Sequence, residues 1–270
     1  MDSNAVAAVE MARPGAAQGR DAAQRQANAT GGRGVALVFG GSRGIGAAIA
    51  GRLAHDGYDV AVTYVSRPDS ADGVVAAVEQ AGRRGVAIQA DSADPAAIRA
   101  AVDAAVQRLG PLSAVVVNAG ILRAAPIGSV ALDDLNAMLD VNVRGVFLAI
   151  QAAVAQMHDG GRVITIGSNT AIRTGSAGSS VYAMTKAAVA ALVKGVALDL
   201  APRRITVNNV QPGPTETDMT APMASWLKDV IPLKRMAEPG EIAALVAYLA
   251  SPEAGFVTGA SMTIDGGFVL

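Results

Sequence analysis

VALVFGGSRGIGAAIAGRL, residues 35–53, joins an apolar, β-branched run to a glycine-rich turn and then to an alanine-rich stretch with Ile45, Ile49 and Leu53 at helical spacing. The run 35–39 has the unbroken apolar character of a strand buried on both faces. Four glycines fall within the next seven positions. Gly40 can turn sharply where the strand ends, Gly44 leaves room for backbone to approach a pyrophosphate, and Gly46 lets the following helix pack close to the sheet. A helix starting here aims its free N–H groups and positive end at a phosphate. The stretch predicts strand, turn and helix, the opening of a nucleotide-binding α/β fold.

The pattern repeats along the chain. Strands are expected at 35–39, 60–64, 86–89, 114–117, 163–166, 206–210 and 261–264, and helices near 44–56, 71–83, 95–109, 133–158, 179–200 and 239–250. Such alternation predicts a single Rossmann-type, doubly wound parallel sheet of about seven strands with helices on both faces. The ligand crevice then lies at the carboxyl ends of the strands. Residues 34–270 form one domain in this reading, and 1–33, rich in Ala, Gln, Gly and Arg, form a disordered N-terminal extension. The segment 212–240 holds several prolines and Trp226, and is too long for a plain connection, so it is expected to be a lid.

Composition narrows the function. Of 270 residues, 51% are hydrophobic and only 3% aromatic, so the core is aliphatic; the net charge of −1 gives no basic field for nucleic acid or a membrane surface. The apolar runs look too short and broken to span a membrane. There is no cysteine, which removes disulfides, thiolate catalysis and cysteine zinc sites and fits a cytoplasmic setting. His55 and His158 stand alone and are expected on helix surfaces, so no metal site is expected.

Several motifs occur in a fixed order: Gly40-x-x-x-Gly44-x-Gly46, NAG at 118–120, Asn142 within DVNVRGVF, Ser168 closing VITIGS, YAMTK at 182–186, VQPGPTETDM at 210–219 and FVTGASMTIDGG at 256–267. Together they resemble the short-chain dehydrogenase/reductase family over residues 34–270. The chain departs from the pattern at Phe39, where the family usually carries a threonine that makes structural hydrogen bonds. The resemblance implies a cofactor site built from Gly40, Ser42, Arg43, Gly44, Ile45 and Gly46. It adds Asp91 and Ser92 at the adenine, Asn118, Ala119 and Gly120 under the ribose, and Pro212, Gly213, Thr215 and Thr217 from the lid side, with Tyr182 and Lys186.

The second strand chooses between dinucleotides. An acid after it would bind the ribose hydroxyls and repel a 2′-phosphate. No acid occupies Tyr64, Val65 or Ser66, and Ser66 and Arg67 follow directly. A hydroxyl and a guanidinium suit a phosphate, and Arg43 can reach the same group, so NADPH/NADP+ is the expected cofactor.

Tyr182 and Lys186 are four apart on an expected helix and share a face. An ammonium beside a phenol favours the phenolate, so Lys186 is expected to lower the Tyr182 pKa from ~10. Ser168 follows a buried strand and lands at the carboxyl edge of the sheet. By resemblance, Ser168 polarises a substrate carbonyl, Tyr182 protonates its oxygen, Lys186 binds the nicotinamide ribose, and Asn142 binds a water linking Lys186 to solvent.

The expected partner is a small-molecule carbonyl substrate, a 3-oxoacyl thioester or small ketone. The pocket walls are expected at 121–126, 169–177 and 215–235, with Ile121, Leu122, Ile172, Met219, Met223, Trp226 and Leu227 supplying apolar surface. Arg123, Arg173, Lys228, Lys234 and Arg235 on the rim can attract an acyl-carrier phosphate group or form ordinary solvated surface. The chain is similar to 3-oxoacyl-(acyl-carrier-protein) reductases and also to a subgroup of cyclic-di-GMP-binding biofilm-dispersal reductases. That leaves a regulatory nucleotide binder as the alternative to an enzyme. The resemblance also implies a homotetramer, packed through the helices near 133–158 and 179–200 and the C-terminal strand.

Overall fold

The computed structural model describes residues 32–270, so almost all of the expected extension lies outside the described residues. Seven strands form one parallel sheet: β1 (Gly34–Phe39), β2 (Tyr58–Tyr64), β3 (Gly85–Gln89), β4 (Leu112–Val117), β5 (Met157–Ile166), β6 (Thr206–Pro212) and β7 (Ser261–Ile264). Their spatial order is β3-β2-β1-β4-β5-β6-β7. The order reverses between β1 and β4, whose register pairs Phe39 with Val117. That switch point opens the crevice in which an open α/β sheet binds its ligand.

The strands are apolar on both sides because both faces are covered. Val35, Leu37 and Phe39 of β1 point into a core shared with α3 (Pro95–Leu109), α5 (Gly145–Ala155) and α6 (Ser180–Leu200). Ala36 and Val38 point the other way, into a core with α1 (Gly44–His55), α2 (Pro68–Gln80) and α8 (Pro239–Ala250). Alternate residues of one strand thus serve two cores.

The helix expected near 71–83 begins three residues earlier, at Pro68, whose fixed φ and missing N–H suit a first turn. The helix expected over 133–158 is not continuous. It divides into α4 (Leu132–Leu139), a wide π-type turn at Asp140–Arg144 and α5, which ends at Ala155. β5 then starts at Met157, with a register break opposite Leu112 and Ala114. His158 is therefore a buried strand residue rather than a helix-surface one, whereas His55 is exposed at the end of α1 as expected.

Two helical runs, Leu132–Ala155 and Ser180–Arg203, are long and apolar enough to cross a membrane by length and composition. The expectation that apolar runs are too short missed them, because charged residues interrupt the sequence without ending the helical path. Both lay a face on the sheet: Ala149, Ile150, Ala153, Val189, Val193 and Ala197 belong to the core.

The segment expected to be a lid is anchored at both ends. Thr215 bridges Ala237, the Glu216 N–H donates to the Ala237 carbonyl and the Ala237 N–H to the Pro214 carbonyl. Within it, α7 (Ala224–Val230) contributes Leu227 to a small separate core with Ile231 and Met236, against which Phe268 packs.

Candidate active site

At the end of β1 the chain turns through Gly40 with φ of 70°, and a Cβ there would lie 2.9 Å from the Ala119 backbone. The Asn118 side-chain amide donates to the Gly40 carbonyl at 2.7 Å. Gly46 lies directly beneath this bond; a Cβ on it would collide with the Gly40 oxygen and come within 2.6 Å of Asn118 Nδ2. The glycines let the turn, the start of α1 and the end of β4 lock together by main chain. Phe39 is buried in the core, and the Gly40 N–H is held by the Thr63 hydroxyl of β2 at 2.9 Å. The local hydrogen bonding that the family threonine would serve thus has a hydroxyl from the neighbouring strand.

Beyond the turn, Arg43 and Arg67 converge. Arg43 Nη1 is 2.9 Å and Arg67 Nη1 3.5 Å from one carboxylate oxygen of Asp218, in the segment that follows β6. Both guanidinia thus address a common anionic point, with Ser66 on the same wall. Asp91 and Ser92 line the cleft next to them. Asp91 also caps its own turn, accepting from the Ala93 N–H at 2.9 Å, while Asp94 caps α3 by accepting from Ala96.

On the opposite wall, α6 carries Tyr182 and Lys186 on one face. The buried Lys186 ammonium donates to the Ile166 carbonyl at the end of β5 (2.9 Å) and stands 5.6 Å from the Tyr182 ring centroid. Two residues past Ile166, Ser168 lines the same cleft as Tyr182, and its hydroxyl favours the ionised phenol. The Ser168 hydroxyl also caps the next turn, accepting from the Thr170 N–H at 3.2 Å and the Thr170 hydroxyl at 2.9 Å.

Burial sets both pKa values. It pushes the Tyr182 phenol up to about 12, with the Ser168 hydroxyl pulling the other way, and lowers Lys186 to about 8. This corrects the expectation that Lys186 lowers the phenol: removal from water instead sets the direction and raises it.

Asn142 lies in the π-type turn, fully buried. It accepts from the Ile121 N–H at 2.9 Å, donates to the Ile121 carbonyl at 2.8 Å, and donates to the Thr185 hydroxyl at 3.2 Å. Thr185 in turn donates to the Tyr182 carbonyl at 2.7 Å. These bonds tie the loop after β4 to α6. A wide turn explains an asparagine inside an apolar helical run, since π-type turns free side chains for such contacts.

A family model described as enoyl-(acyl carrier protein) reductase matches residues 40–269. The chain belongs to the short-chain dehydrogenase/reductase family, a family of oxidoreductases. It is 41% identical over 235 residues to the cyclic-di-GMP-binding biofilm dispersal mediator protein of Escherichia coli K12, covering 86% of this chain and 95% of that one. It is 39% identical over 241 residues to a 3-oxoacyl-[acyl-carrier-protein] reductase of Staphylococcus aureus, covering 87% and 98%. Among solved structures, a short-chain dehydrogenase from Burkholderia cenocepacia in complex with NADP superposes with a TM-score of 0.86 at 48% identity, covering 88% of this chain and 98% of that one.

In this short-chain dehydrogenase/reductase the two walls enclose a cleft of about 1230 Å³. All the expected site residues line it except Gly46 and Asn142, which act from beneath the surface. Leu122, Met219, Trp226 and Leu227 line it as expected, whereas Ile172 is turned to solvent. The rim cations are engaged internally: Arg123 with Asp134, Lys228 with Glu216, Arg235 with Glu241, Lys234 with the Asp229 carbonyl and Arg173 with the Phe268 and Leu270 carbonyls. Sequence reasoning missed Thr63, Thr185 and Phe268. Thr185 had a signal, its place three residues after Tyr182; Thr63 and Phe268 meet the site only through the fold.

Proposed function

We propose that the chain is an NADPH-dependent carbonyl reductase acting on a small ketone or a 3-oxoacyl thioester. The observation that carries this is the Ser168–Tyr182–Lys186 group standing across one cleft from the glycine turn. The cleft fits a dinucleotide: glycine positions that a Cβ would fill cradle one end, and two guanidinia meet at an anionic point beside it. NADPH, when bound, supplies the hydride.

The chain supplies position and a proton. Ser168 donates to the substrate carbonyl oxygen beside the Tyr182 phenol. Tyr182, held neutral by burial, gives its proton to the same oxygen as charge develops there. Lys186, charged at neutral pH, stabilises the phenolate left behind. Asn142 and Thr185 fix the distance between the loop after β4 and α6, and so hold Tyr182 in place. Arg43 and Arg67 take the 2′-phosphate, as a planar fork suits.

A panel of ketones, β-ketoesters and acyl thioesters, followed by NADPH absorbance, tests the reading. Tyr182→Phe is expected to lower kcat by about 10²–10⁴-fold with dinucleotide affinity unchanged. Parental turnover in that variant would refute the assignment.

The identity to a protein named for binding cyclic-di-GMP supports a second reading, a regulator that keeps the reductase frame. Calorimetric titration with cyclic-di-GMP separates the two; heat without any carbonyl turnover would favour the regulator. The assembly we propose is a homotetramer, supported by exposed Phe147 on α5 and Met184 and Leu198 on α6. Light scattering measures it directly.

A further inference from the structure

The acid between the two arginines comes from neither of their elements. Arg43 belongs to the turn after β1 and Arg67 to the turn after β2, while Asp218 is 175 and 151 residues away in sequence. All three side chains are largely exposed, so burial does not force them together. The neighbouring acid, Glu216, pairs elsewhere, with Lys228 at 3.6 Å.

The lid backbone is shaped to present Asp218. The Thr217 N–H donates to the Thr220 hydroxyl, which donates to the Thr215 carbonyl, and the Thr220 and Ala221 N–H groups return to the Thr217 carbonyl. Asp218 sits at the tip of this closed turn. The same turn reaches the glycine turn, because a Cβ on Gly44 would come within 3.2 Å of Thr217 Cγ2.

We propose that Asp218 is a specificity-determining residue that competes with the adenosine 2′-phosphate for Arg43 and Arg67. A carboxylate and a phosphate ask for the same guanidinium forks, and like charges exclude each other from one point. Binding of the phosphate therefore releases the lid turn from the arginines. A dinucleotide without that phosphate leaves the bridge, and the lid turn, in place. The bridge is an exposed ion pair and weak, so NADPH displaces it at small cost while NADH gains nothing from doing so.

The inference rests on the phosphate reading of the two arginines, and the experiment separates them. Calorimetric titration of NADPH and NADH is made on the parent, Asp218→Asn and Arg67→Ala proteins. Asp218→Asn is expected to bind NADPH about threefold to fivefold tighter, the size of an exposed ion pair, with NADH affinity unchanged. Hydrogen exchange of amides 215–221 is expected to rise on adding 2′,5′-ADP to the parent but not on adding AMP, and to be already raised in Asp218→Asn. Parental or weaker NADPH affinity in Asp218→Asn, or an equal gain for both dinucleotides, overturns the inference. An Arg67→Ala protein that keeps the parental ratio of NADPH to NADH affinity overturns the phosphate reading instead.

Discussion

Lys186 binds the end of β5 rather than Tyr182 itself: its ammonium donates to the Ile166 carbonyl at 2.9 Å and lies 5.6 Å from the phenol ring. It acts on the phenol as a nearby charge, not as a hydrogen-bond partner, and that charge titrates within a measurable range. Burial places Lys186 at about 8 and Tyr182 at about 12. The phenol thus keeps its proton across neutral pH, while the ammonium that favours the nascent phenolate is lost as pH rises through 8. For carbonyl reduction, kcat/KM is expected to be level below pH 8 and to fall by about tenfold per unit above it. Lys186→Arg, whose charge does not titrate there, is expected to lose that limb. A parent profile level to pH 10, or the same limb in the arginine variant, would contradict this account.

The same lysine is expected to cost stability. Its pKa falls from 10.5 in the unfolded chain to about 8 in the fold, so between these values the native state holds fewer protons. Stability then decreases as pH drops from 10.5 to 8, and stays at the lower level beneath that. Lys186→Met is expected to be inactive yet more stable than the parent at pH 7, by roughly 1–3 kcal/mol, with the gain shrinking towards pH 10.5. Urea denaturation at pH 7 and pH 10 reads both values; a variant less stable than the parent at pH 7 would show that the bond to Ile166 outweighs burial.

Where the sequence foretold the structure, the cause was local. Each strand announced itself by a β-branched run, and the glycine turn by positions at which only hydrogen fits, as Gly46 beneath the Gly40 carbonyl illustrates. The motif residues came together because the topology carries every strand end to one edge of the sheet. Three features were not legible. The π-type turn at Asp140–Arg144 leaves no break in apolar spacing, so one long helix was expected where three segments stand. The direction of the Tyr182 shift depends on how completely the cleft wall excludes water, which two residues at helical spacing do not reveal. The convergence of Arg43 and Arg67 was expected, but the arrival of Asp218 between them joins a third, distant turn that only the folded chain brings there.

Asn142 is the clearest test of a positioning role. Its amide satisfies both main-chain groups of Ile121 and reaches Thr185, which holds the Tyr182 carbonyl. Asn142→Ala strands buried polar groups on both sides and is expected to destabilise the fold by about 2–4 kcal/mol. Asn142→Asp keeps the acceptor for the Ile121 N–H but loses both donations. It is expected to lower kcat more than it raises KM for the ketone, because Tyr182 shifts while the cleft walls stay in place. Urea midpoints and steady-state kinetics on the two variants check this; an unchanged kcat in a folded Asn142→Asp protein would leave Asn142 a structural residue alone.

Gly46 concerns the cofactor end in the same way. A methyl group at this position meets the Gly40 carbonyl and Asn118 Nδ2, the two partners of one hydrogen bond, so relief requires moving the glycine turn or the end of β4. The Gly40 carbonyl is main chain, and the Asn118 amide is held in place by its bond to that carbonyl. Gly46→Ala is expected to weaken dinucleotide binding by at least about tenfold and to cost about 1–3 kcal/mol of stability, the range of overpacking in a close-fitted site. Gly51→Ala is the matched control. It lies one and a half turns further along α1 with no described residue within 4 Å of the added Cβ, and the greater helix propensity of alanine is expected to leave it as stable as the parent or slightly more so. Dinucleotide titration and urea denaturation of the pair decide the matter, since comparable losses in both variants would point to helix composition rather than to the contact beneath the turn.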